Sequence, residues 1–310
     1  MNRPLSILGA PSSIGIRPYD DGRVRRLDLA PRVLRDQGLV ARVGARDLGD
    51  VTPPAYRDFE RVAGRARNEA EVAAYSRSLA AAVAGGARQG FVLVMGGDCS
   101  IVLGCLLGAR EAVGGRVGVA YVDAHADFAT PVESYTGSAA SMCLAQAVGR
   151  GDTPLARLAG GEPLVAAEDV VIIGRSDQNE DGRYGEAALR SLPVLDLSRD
   201  DVRKRGAGAI GRAAVDRLTR PGLDGFWIHV DADVMDPAIM PAVDSPEAGG
   251  LDLDEMESVL RPLVSHPRAL GMELTIYDPF LDPDGACAVR LVALLERVLV
   301  RAPGGAERGS

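Results

Sequence analysis

The chain has 310 residues, of which 46% are hydrophobic and 25% are charged. This composition is typical of a folded globular protein and excludes disordered and fibrous chains. The 43 acidic residues outnumber the 35 basic ones and give a net charge of −8, which argues against nucleic acids and anionic membrane surfaces as partners. Lys204 is the only lysine, so chemistry that needs a lysine would rest on one residue.

The sequence shows no segment that would direct the chain to a membrane or to an oxidising compartment. Its apolar runs are shorter than the roughly 18 residues of a membrane helix, and its first residues lack the features of a signal peptide. Four cysteines without CxxC spacing are expected to be reduced thiols. They are Cys99, Cys105, Cys143 and Cys287. We therefore expect a cytoplasmic protein.

Short aliphatic runs alternate with helical stretches, as in βαβ units around a mostly parallel sheet. The predicted strands are Leu5–Leu8, Val40–Val43, Phe91–Met95, Val117–Asp123, Val170–Ile173, Pro193–Leu195, Phe226–Val230 and Ala269–Leu274. The predicted helices are Glu69–Arg88, the segment after Ser100, Asp201–Leu218, Asp254–Leu263 and Cys287–Val300. Because glycine and proline are scattered, we predict a single α/β domain over residues 1–300 and a disordered tail over residues 301–310.

The first polar strand end is FVLVMGGDCS, in which an apolar strand runs into Gly96 and Gly97 before a helix. Two glycines permit a tight turn. Asp98 or Ser100 could cap the following helix, and this structural interpretation is favoured for the motif taken alone.

Two further strand ends carry ionisable side chains at alternate positions. VGVAYVDAHADF contains Asp123, His125 and Asp127, and GFWIHVDADVMDP contains His229, Asp231 and Asp233. Alternate side chains of an extended chain share one side, and Asp and His suit Mn²⁺, Zn²⁺ or Fe²⁺. Solvated loops are the alternative, but clustered carboxylates in one crevice would repel each other unless a cation lay between them. The sequence therefore predicts a metal centre with enough charge for two divalent ions.

Glu273 lies near the end of a fourth strand, in ALGMELTIYDPFLDPDG. A buried structural carboxylate and a direct role in the site are equally supported for it.

These motifs resemble those of the ureohydrolase family, the arginase, agmatinase and formiminoglutamase group of dimanganese enzymes, from Leu5 to about Leu299. The family's DAHxD and DxDxxDP motifs are complete. By this resemblance the metal ligands are Asp123, His125, Asp127, Asp231 and Asp233. The resemblance also implies a three-layer α/β/α sandwich, two Mn²⁺ per chain and a bridging hydroxide that attacks an amidine or guanidine carbon. It further implies assembly as a homo-oligomer, a trimer or a hexamer.

Three positions depart from the family pattern. Cys99 replaces the metal-binding histidine of GGDHS, so Cys99 becomes the sixth predicted ligand and shifts the preference toward Zn²⁺ or Fe²⁺, unless this metal position is weak or empty. Ala140 stands where arginases of the family carry a histidine for proton transfer. Ile276 aligns with the glutamate that pairs the guanidinium. Because a buried guanidinium needs that charge, we expect weak or no arginase activity.

The resemblance also suggests roles for individual residues. Asp127 is expected to orient the hydroxide as well as to bind metal. His229 is a candidate proton shuttle, although a histidine that fixes adjacent ligands by hydrogen bonds has nearly equal support. The predicted substrate contacts are Thr136, Ser138, Asn179 and Glu273, with Asp177 beside Asn179.

The sequence thus predicts a metal-dependent hydrolase of non-peptide carbon–nitrogen bonds in a small amidine, formimino, hydroxyguanidine or related substrate. One alternative is a catalytically silent relative with a regulatory or scaffolding role, because Cys99, Ala140 and Ile276 have all departed from the family pattern. Another is an agmatinase or guanidinobutyrase in which Asp244 or Glu247 replaces the missing glutamate.

Overall fold

A computed structural model describes residues 3–57, 62–176 and 185–300, and within these ranges one eight-stranded sheet forms the centre of the fold. Its strands are β1 (Leu5–Gly9), β2 (Arg46–Asp50), β3 (Phe91–Met95), β4 (Val117–Val122), β5 (Val170–Ile173), β6 (Leu195–Leu197), β7 (Gly225–Asp231) and β8 (Ala269–Thr275). The strands are parallel and run in the order β2-β1-β3-β8-β7-β4-β5-β6. This confirms the predicted parallel sheet.

Helices cover both faces of the sheet. They are α1 (Ala30–Asp36), α2 (Leu39–Val43), α3 (Glu69–Ala87), α4 (Ile101–Val113), α5 (Cys143–Ala147), α6 (Glu186–Arg190), α7 (Arg199–Arg205), α8 (Ala207–Leu218), α9 (Leu253–Ser265) and α10 (Ala286–Leu299). α3 packs on α4, while α9 packs on α8 and α10. Strands β3, β4, β5 and β7 are buried at every residue, as expected of a parallel sheet between two helical layers. The fold is the predicted three-layer α/β/α sandwich.

One predicted strand is wrong. Val40–Val43 lies in the helix α2, between Gly38 and Gly44, which both have positive φ. A short apolar run does not by itself distinguish a strand from a helical turn. The strand in this region is β2, whose sequence RDLGD is polar because it is a largely exposed edge strand. Hydrophobic patterning therefore could not reveal it.

The other predicted elements agree with the structure more closely. The remaining strands coincide with the observed ones to within two residues at each end. The predicted helix Asp201–Leu218 is instead two helices, α7 and α8, which are separated by Gly206 at φ 85°. The predicted tail, residues 301–310, lies outside the described residues.

Two sequence-based expectations concern the described part of the chain as a whole. No helix within these ranges has both the length and the apolar character that are needed to cross a membrane. All four cysteines lie within them, are buried and form no disulfide.

The strand order brings the polar strand ends together. β3, β8, β7 and β4 are neighbours at the centre of the sheet, and their carboxyl ends lie at one edge. Ligands of open α/β sheets bind at this edge. After β3, the Asp98 carboxylate accepts hydrogen bonds of 3.0 Å from the backbone N–H groups of Gly15 and Ser100. Asp98 thus fixes the turn that presents Cys99.

The turn after β3 requires a residue without a side chain at Gly97. A methyl group there would overlap the backbone of Ser12, whereas a methyl group on Gly85 in α3 would meet open space. We expect Gly97→Ala to lower the free energy of unfolding by about 1–3 kcal/mol, because backbone atoms cannot yield as side chains do. Gly85→Ala is the matched control and should raise it by about 0.5–1 kcal/mol. Urea unfolding of both variants measures the difference, and equal stabilities would contradict the close approach.

Candidate metal centre and substrate cavity

Two groups of potential metal ligands meet at the carboxyl edge of the sheet. The first is Cys99, Asp123, His229 and Asp231, and the second is Asp123, His125 and Asp233. Within each group the candidate ligand atoms lie within 4.8 Å of one another. Two ligands of one ion lie at most about 4 to 5 Å apart, because that is twice a metal–ligand bond. The groups share Asp123, so the geometry is that of two adjacent sites.

The first group is buried and internally hydrogen-bonded. The Cys99 thiol donates to Asp231 Oδ2 at 2.8 Å. His229 lies deeper, with Nε2 3.6 Å from Asp123 Oδ2 and Nδ1 2.7 Å from Glu273 Oε1. His229 and Glu273 are both 0% exposed. A thiol, an imidazole and two carboxylates therefore converge away from solvent.

The second group lies beside the first and is more open. His125 Nδ1 is 3.1 Å from Asp233 Oδ2 and 3.5 Å from Asp123 Oδ1. In both motifs the first aspartate also accepts a backbone N–H two residues later, from His125 to Asp123 Oδ1 at 2.6 Å and from Asp233 to Asp231 Oδ1 at 2.8 Å. These Asx turns hold the carboxylates in place before any ligand arrives.

Several polar atoms of the two groups are buried without a hydrogen-bond partner among the described residues. They are Asp123 Oδ2, His229 Nε2 and Asp233 Oδ1. Buried polar atoms in proteins are nearly always paired, so three such atoms in one cluster are open to a bound ligand. Nitrogen, oxygen and sulfur donors together suit a divalent transition-metal ion. The residues therefore fit the predicted metal.

The electrostatics of the cluster lead to the same conclusion. Burial, with the nearby Asp123 charge, raises the pKa of Asp127 to about 8, and burial raises the pKa of Asp233 to about 6. Burial and the neighbouring carboxylates also raise the pKa of Asp231 and of the Cys99 thiol well above their usual ranges. Raised pKa values favour protons on these groups, and a bound metal ion would compete with those protons.

Asp127 lies outside both groups, although it was predicted to be a ligand. Its Oδ2 accepts hydrogen bonds from the Tyr121 hydroxyl at 2.6 Å and from the Cys143 thiol at 3.3 Å. Its backbone has a positive φ of 48°, which turns the chain away from the strand direction. The carboxylate is thus held at the cavity wall by two donors.

Glu273 does not fit the predicted role of a substrate contact. It is 0% exposed, and its carboxylate lies behind His229, away from the cavity. His229 itself is also absent from the cavity lining. The sequence left two roles open for His229, a proton shuttle and a residue that fixes adjacent ligands by hydrogen bonds. The second role agrees better with its burial.

A cavity of about 280 Å³ opens above the two groups. Cys99, Asp231 and His125 belong to its lining, and so do the predicted substrate contacts Thr136 and Ser138. The charged residues Arg17, Arg25, Asp244 and Glu247 also line it, together with Ala140 and Ile276. Asp177 and Asn179 lie outside the described residues.

Ile276 forms part of the cavity wall in a backbone conformation that β-branched residues rarely adopt. Its φ is 67°, its side chain is 2% exposed, and its N–H donates to the Gly97 carbonyl at 2.9 Å. The position at which a family glutamate was expected is therefore an apolar surface facing the cavity.

Sequence reasoning missed several residues of the site, among them Tyr121, Cys143 and Arg25. Tyr121 precedes Asp123 by two positions and so shares its side of β4, which was a usable signal, but an aromatic residue in a buried strand usually belongs to the core. Cys143 and Arg25 lie in segments without any motif. Arg25 Nη2 pairs with Asp244 Oδ2 at 3.1 Å beside the cavity.

The model of the Arginase family matches residues 4–300 of the chain. The chain belongs to the arginase family. Among its relatives, the arginase of Bacillus caldovelox is 33% identical over 258 residues, covering 80% of this chain and 82% of the relative. The arginase of Brevibacillus brevis is 30% identical over 304 residues, covering 96% and 98%. The solved native structure of the B. caldovelox arginase gives a TM-score of 0.85 at 29% identity, covering 97% of this chain and 100% of that one.

Membership of the arginase family confirms the resemblance found in the sequence motifs. The shared fold over almost the whole length confirms the arginase-like α/β sandwich. In this arginase-family chain, the candidate metal cluster lies at the carboxyl edge of the sheet, where the DAHxD and DxDxxDP motifs place it.

Proposed function

We propose that this protein is a metal-dependent hydrolase that cleaves a non-peptide carbon–nitrogen bond in a small linear substrate with a head group less basic than guanidinium. Formimino, hydroxyguanidine, ureido and related amidine groups belong to this class. The observation that carries the proposal is a pair of candidate metal-ligand groups with unpaired buried atoms. They lie below a cavity in whose wall Ile276 occupies the position at which the family resemblance placed a glutamate.

The cavity wall supports the substrate class. A buried guanidinium requires an anion, and the isoleucine side chain offers only apolar contact. Asp244 also lines the cavity, but the Arg25 guanidinium already compensates its charge at 3.1 Å. A neutral or weakly basic head group meets no such requirement and can pack against Ile276.

The two ligand groups would hold two divalent ions, Mn²⁺ or, because of the Cys99 thiol, Zn²⁺ or Fe²⁺. Such ions supply Lewis acidity and lower the pKa of a bound water toward about 7. Asp127 Oδ2 is fixed by Tyr121 and Cys143, which leaves Oδ1 to accept a proton and return it to the leaving nitrogen.

The hydroxyl groups of Ser138 and Thr136 lie in the cavity wall, where they could orient a substrate. Ser138 Oγ accepts the Arg17 N–H at 3.1 Å, and Thr136 Oγ1 accepts the Ser138 N–H at 3.1 Å. Because Ser138 Oγ accepts from the backbone, its O–H can donate to an acceptor in the cavity. The Thr136 hydroxyl also lies 3.2 Å from Ser134 Oγ, and either of these two hydroxyl groups can be the donor. Both would bind the polar end of a small-molecule substrate.

Metal content and substrate range test the proposal. After purification without chelator and incubation with Mn²⁺, Zn²⁺ or Fe²⁺, plasma mass spectrometry should find about two ions per chain. Turnover of formimino, hydroxyguanidine and ureido compounds should exceed that of arginine in kcat/KM, and a chelator should abolish it. No bound metal in a folded protein, or a preference for arginine, would contradict the proposal. No turnover of any substrate by the metal-loaded protein would favour the silent relative.

Glu247 favours a second candidate, an agmatinase or guanidinobutyrase. It lines the cavity and could supply the anion that Ile276 does not. Agmatine and 4-guanidinobutyrate therefore belong in the same substrate screen. If either is the preferred substrate and Glu247→Gln abolishes that preference, the second candidate replaces the first.

Assembly as a homo-oligomer, a trimer or a hexamer, is part of the proposal and is supported by the family resemblance. Light scattering of the purified protein tests it directly, and a monomer at micromolar concentration would contradict it.

A further inference from the structure

We infer that His229 is a metal ligand that binds through Nε2. It would supply the imidazole that the first motif lacks, because Cys99 stands there in place of the family histidine. This inference rests on the metal-dependent hydrolase proposed above, and it specifies the make-up of one metal position. That position would consist of Cys99, Asp123, His229 and Asp231, with Asp127 outside it.

The neighbouring strands hold the His229 ring from both sides. In the sheet register, His229 on β7 lies beside Tyr121 on β4 and beside Glu273 on β8. The Tyr121 ring stacks on the imidazole with 4.1 Å between centroids and 21° between planes. Glu273 Oε1 is 2.7 Å from Nδ1. The ring therefore has a fixed position and a fixed orientation.

The contact with Glu273 also determines which ring nitrogen is available. A carboxylate next to Nδ1 keeps a proton on that nitrogen, so a metal ion that displaces the proton of Nε2 would bind the lone pair of Nε2. This carboxylate–histidine–metal arrangement recurs in metalloproteins, where it orients the ring and raises its basicity. Glu273 is thus a positioning residue for His229, which explains a fully buried carboxylate at the end of β8.

Nε2 reaches the cluster and has no other partner. It is buried without a hydrogen-bond partner among the described residues, and it lies 3.6 Å from Asp123 Oδ2, which is also unpaired. It belongs with Cys99, Asp123 and Asp231 to the group whose ligand atoms lie within 4.8 Å of one another. An ion at the centre of this group would pair both orphaned atoms at once.

The same geometry excludes a proton shuttle at His229 and explains the position of Asp127. A shuttle must reach the substrate, and His229 is 0% exposed and absent from the cavity lining. Asp127 does line the cavity, with Oδ2 held by Tyr121. The His229 imidazole would therefore face the ion, and the Asp127 carboxylate would face the substrate.

The resulting donor set differs in chemical character from a set of hard ligands. One thiolate, one imidazole and two carboxylates form a borderline site, which binds Zn²⁺, Fe²⁺ or Co²⁺ in preference to Mn²⁺. The neighbouring position, with His125 and two carboxylates, lacks the sulfur and keeps the harder character. The two positions should therefore fill with different affinities.

Cobalt and zinc binding to the full chain test the inference. Wild type, His229→Ala and His229→Gln are stripped with chelator and titrated with Co²⁺ and Zn²⁺. Ions per chain are counted by plasma mass spectrometry, and the thiolate-to-cobalt charge-transfer band is followed. Wild type should bind two ions and show the band. Both His229 variants should lose one ion per chain, or at least about 100-fold in affinity at that position, together with the band.

Matched variants separate ligand loss from general damage. His266→Ala removes a histidine that lies outside both ligand groups and should retain two ions and the band. Glu273→Gln should keep both ions but weaken the cysteine-containing position by about 10- to 100-fold. Circular dichroism of the metal-free chains shows whether each variant folds. If His229→Ala does not fold, His229→Gln decides the question, because it conserves most of the side-chain volume.

The outcomes distinguish the inference from the proposed function. Two ions, with unchanged affinity and cobalt spectrum in folded His229 variants, would overturn the ligand assignment and leave the hydrolase intact. A wild-type chain that binds no metal would overturn both.

Discussion

Replacing Asp123 by asparagine is expected to remove both metal positions and to lower hydrolase turnover by more than about 100-fold. Asp123 is the residue that the two ligand groups share, and its Oδ2 is buried without a hydrogen-bond partner. Loss of a residue that merely orients a ligand usually costs 10- to 100-fold, and loss of a shared ligand should cost more. Metal content by plasma mass spectrometry and turnover of the best substrate measure the effect.

The exposed Asp152 provides the control for this substitution. Its side chain is 88% exposed, so Asp152→Asn should keep two ions and full turnover. The metal-free Asp123→Asn chain should be less stable than metal-free wild type at neutral pH. Although burial opposes it, hydrogen bonds from His125 and His229 lower the pKa of the Asp123 carboxyl, so its charged form stabilises the fold. Retention of both ions by Asp123→Asn would show that the two positions do not share this carboxylate.

Replacing Ile276 by glutamate is expected to raise kcat/KM for a guanidino substrate by roughly 10- to 150-fold. The new carboxylate would face the cavity and supply the anion that a guanidinium needs, and hydrogen bonds to charged groups contribute about 1.5–3 kcal/mol. The change removes a β-branched side chain from a position with φ 67°, so it should not add backbone strain at this position. Arginine and agmatine hydrolysis, compared with the preferred substrate, measure the shift.

Ile276→Gln is the matched control, because glutamine has nearly the shape of glutamate without its charge. Ile276→Gln should give little or no increase in kcat/KM for the guanidino substrate. An equal gain in both variants would mean that polarity or space, and not charge, limits guanidino substrates. No gain with glutamate would mean that another feature of the cavity excludes them.

The sequence predicted most of the fold because buried parallel strands are continuous apolar runs. β3, β4, β5 and β7 are buried at every residue, and each was visible as such a run. Strand β2 was not predicted, because an exposed edge strand carries no such apolar run. Gly206 divided a predicted helix because a glycine at positive φ interrupts a helix without changing the apolar spacing around it.

Most members of the two candidate ligand groups were predicted from the sequence, but His229 was not among the predicted ligands, and Asp127, which was, lies outside both groups. Alternate spacing placed His125 beside the aspartates of its own motif. By contrast, the contacts of His229 with Tyr121 and Glu273 depend on the order β8-β7-β4 and on the register between these strands. No local pattern encodes that order, and the surroundings of Asp127 and Glu273 were beyond sequence reasoning for the same reason.

On the proposed function, the hydrogen bond from the Ile276 N–H to the Gly97 carbonyl would let substrate recognition and metal binding vary independently. The bond joins two backbone groups, so a substitution at position 276 by any residue except proline keeps its donor. A single substitution in the cavity wall would therefore alter the proposed substrate preference while the turn that presents Cys99 keeps its shape. New substrates could then be accepted without a change in the candidate metal ligands.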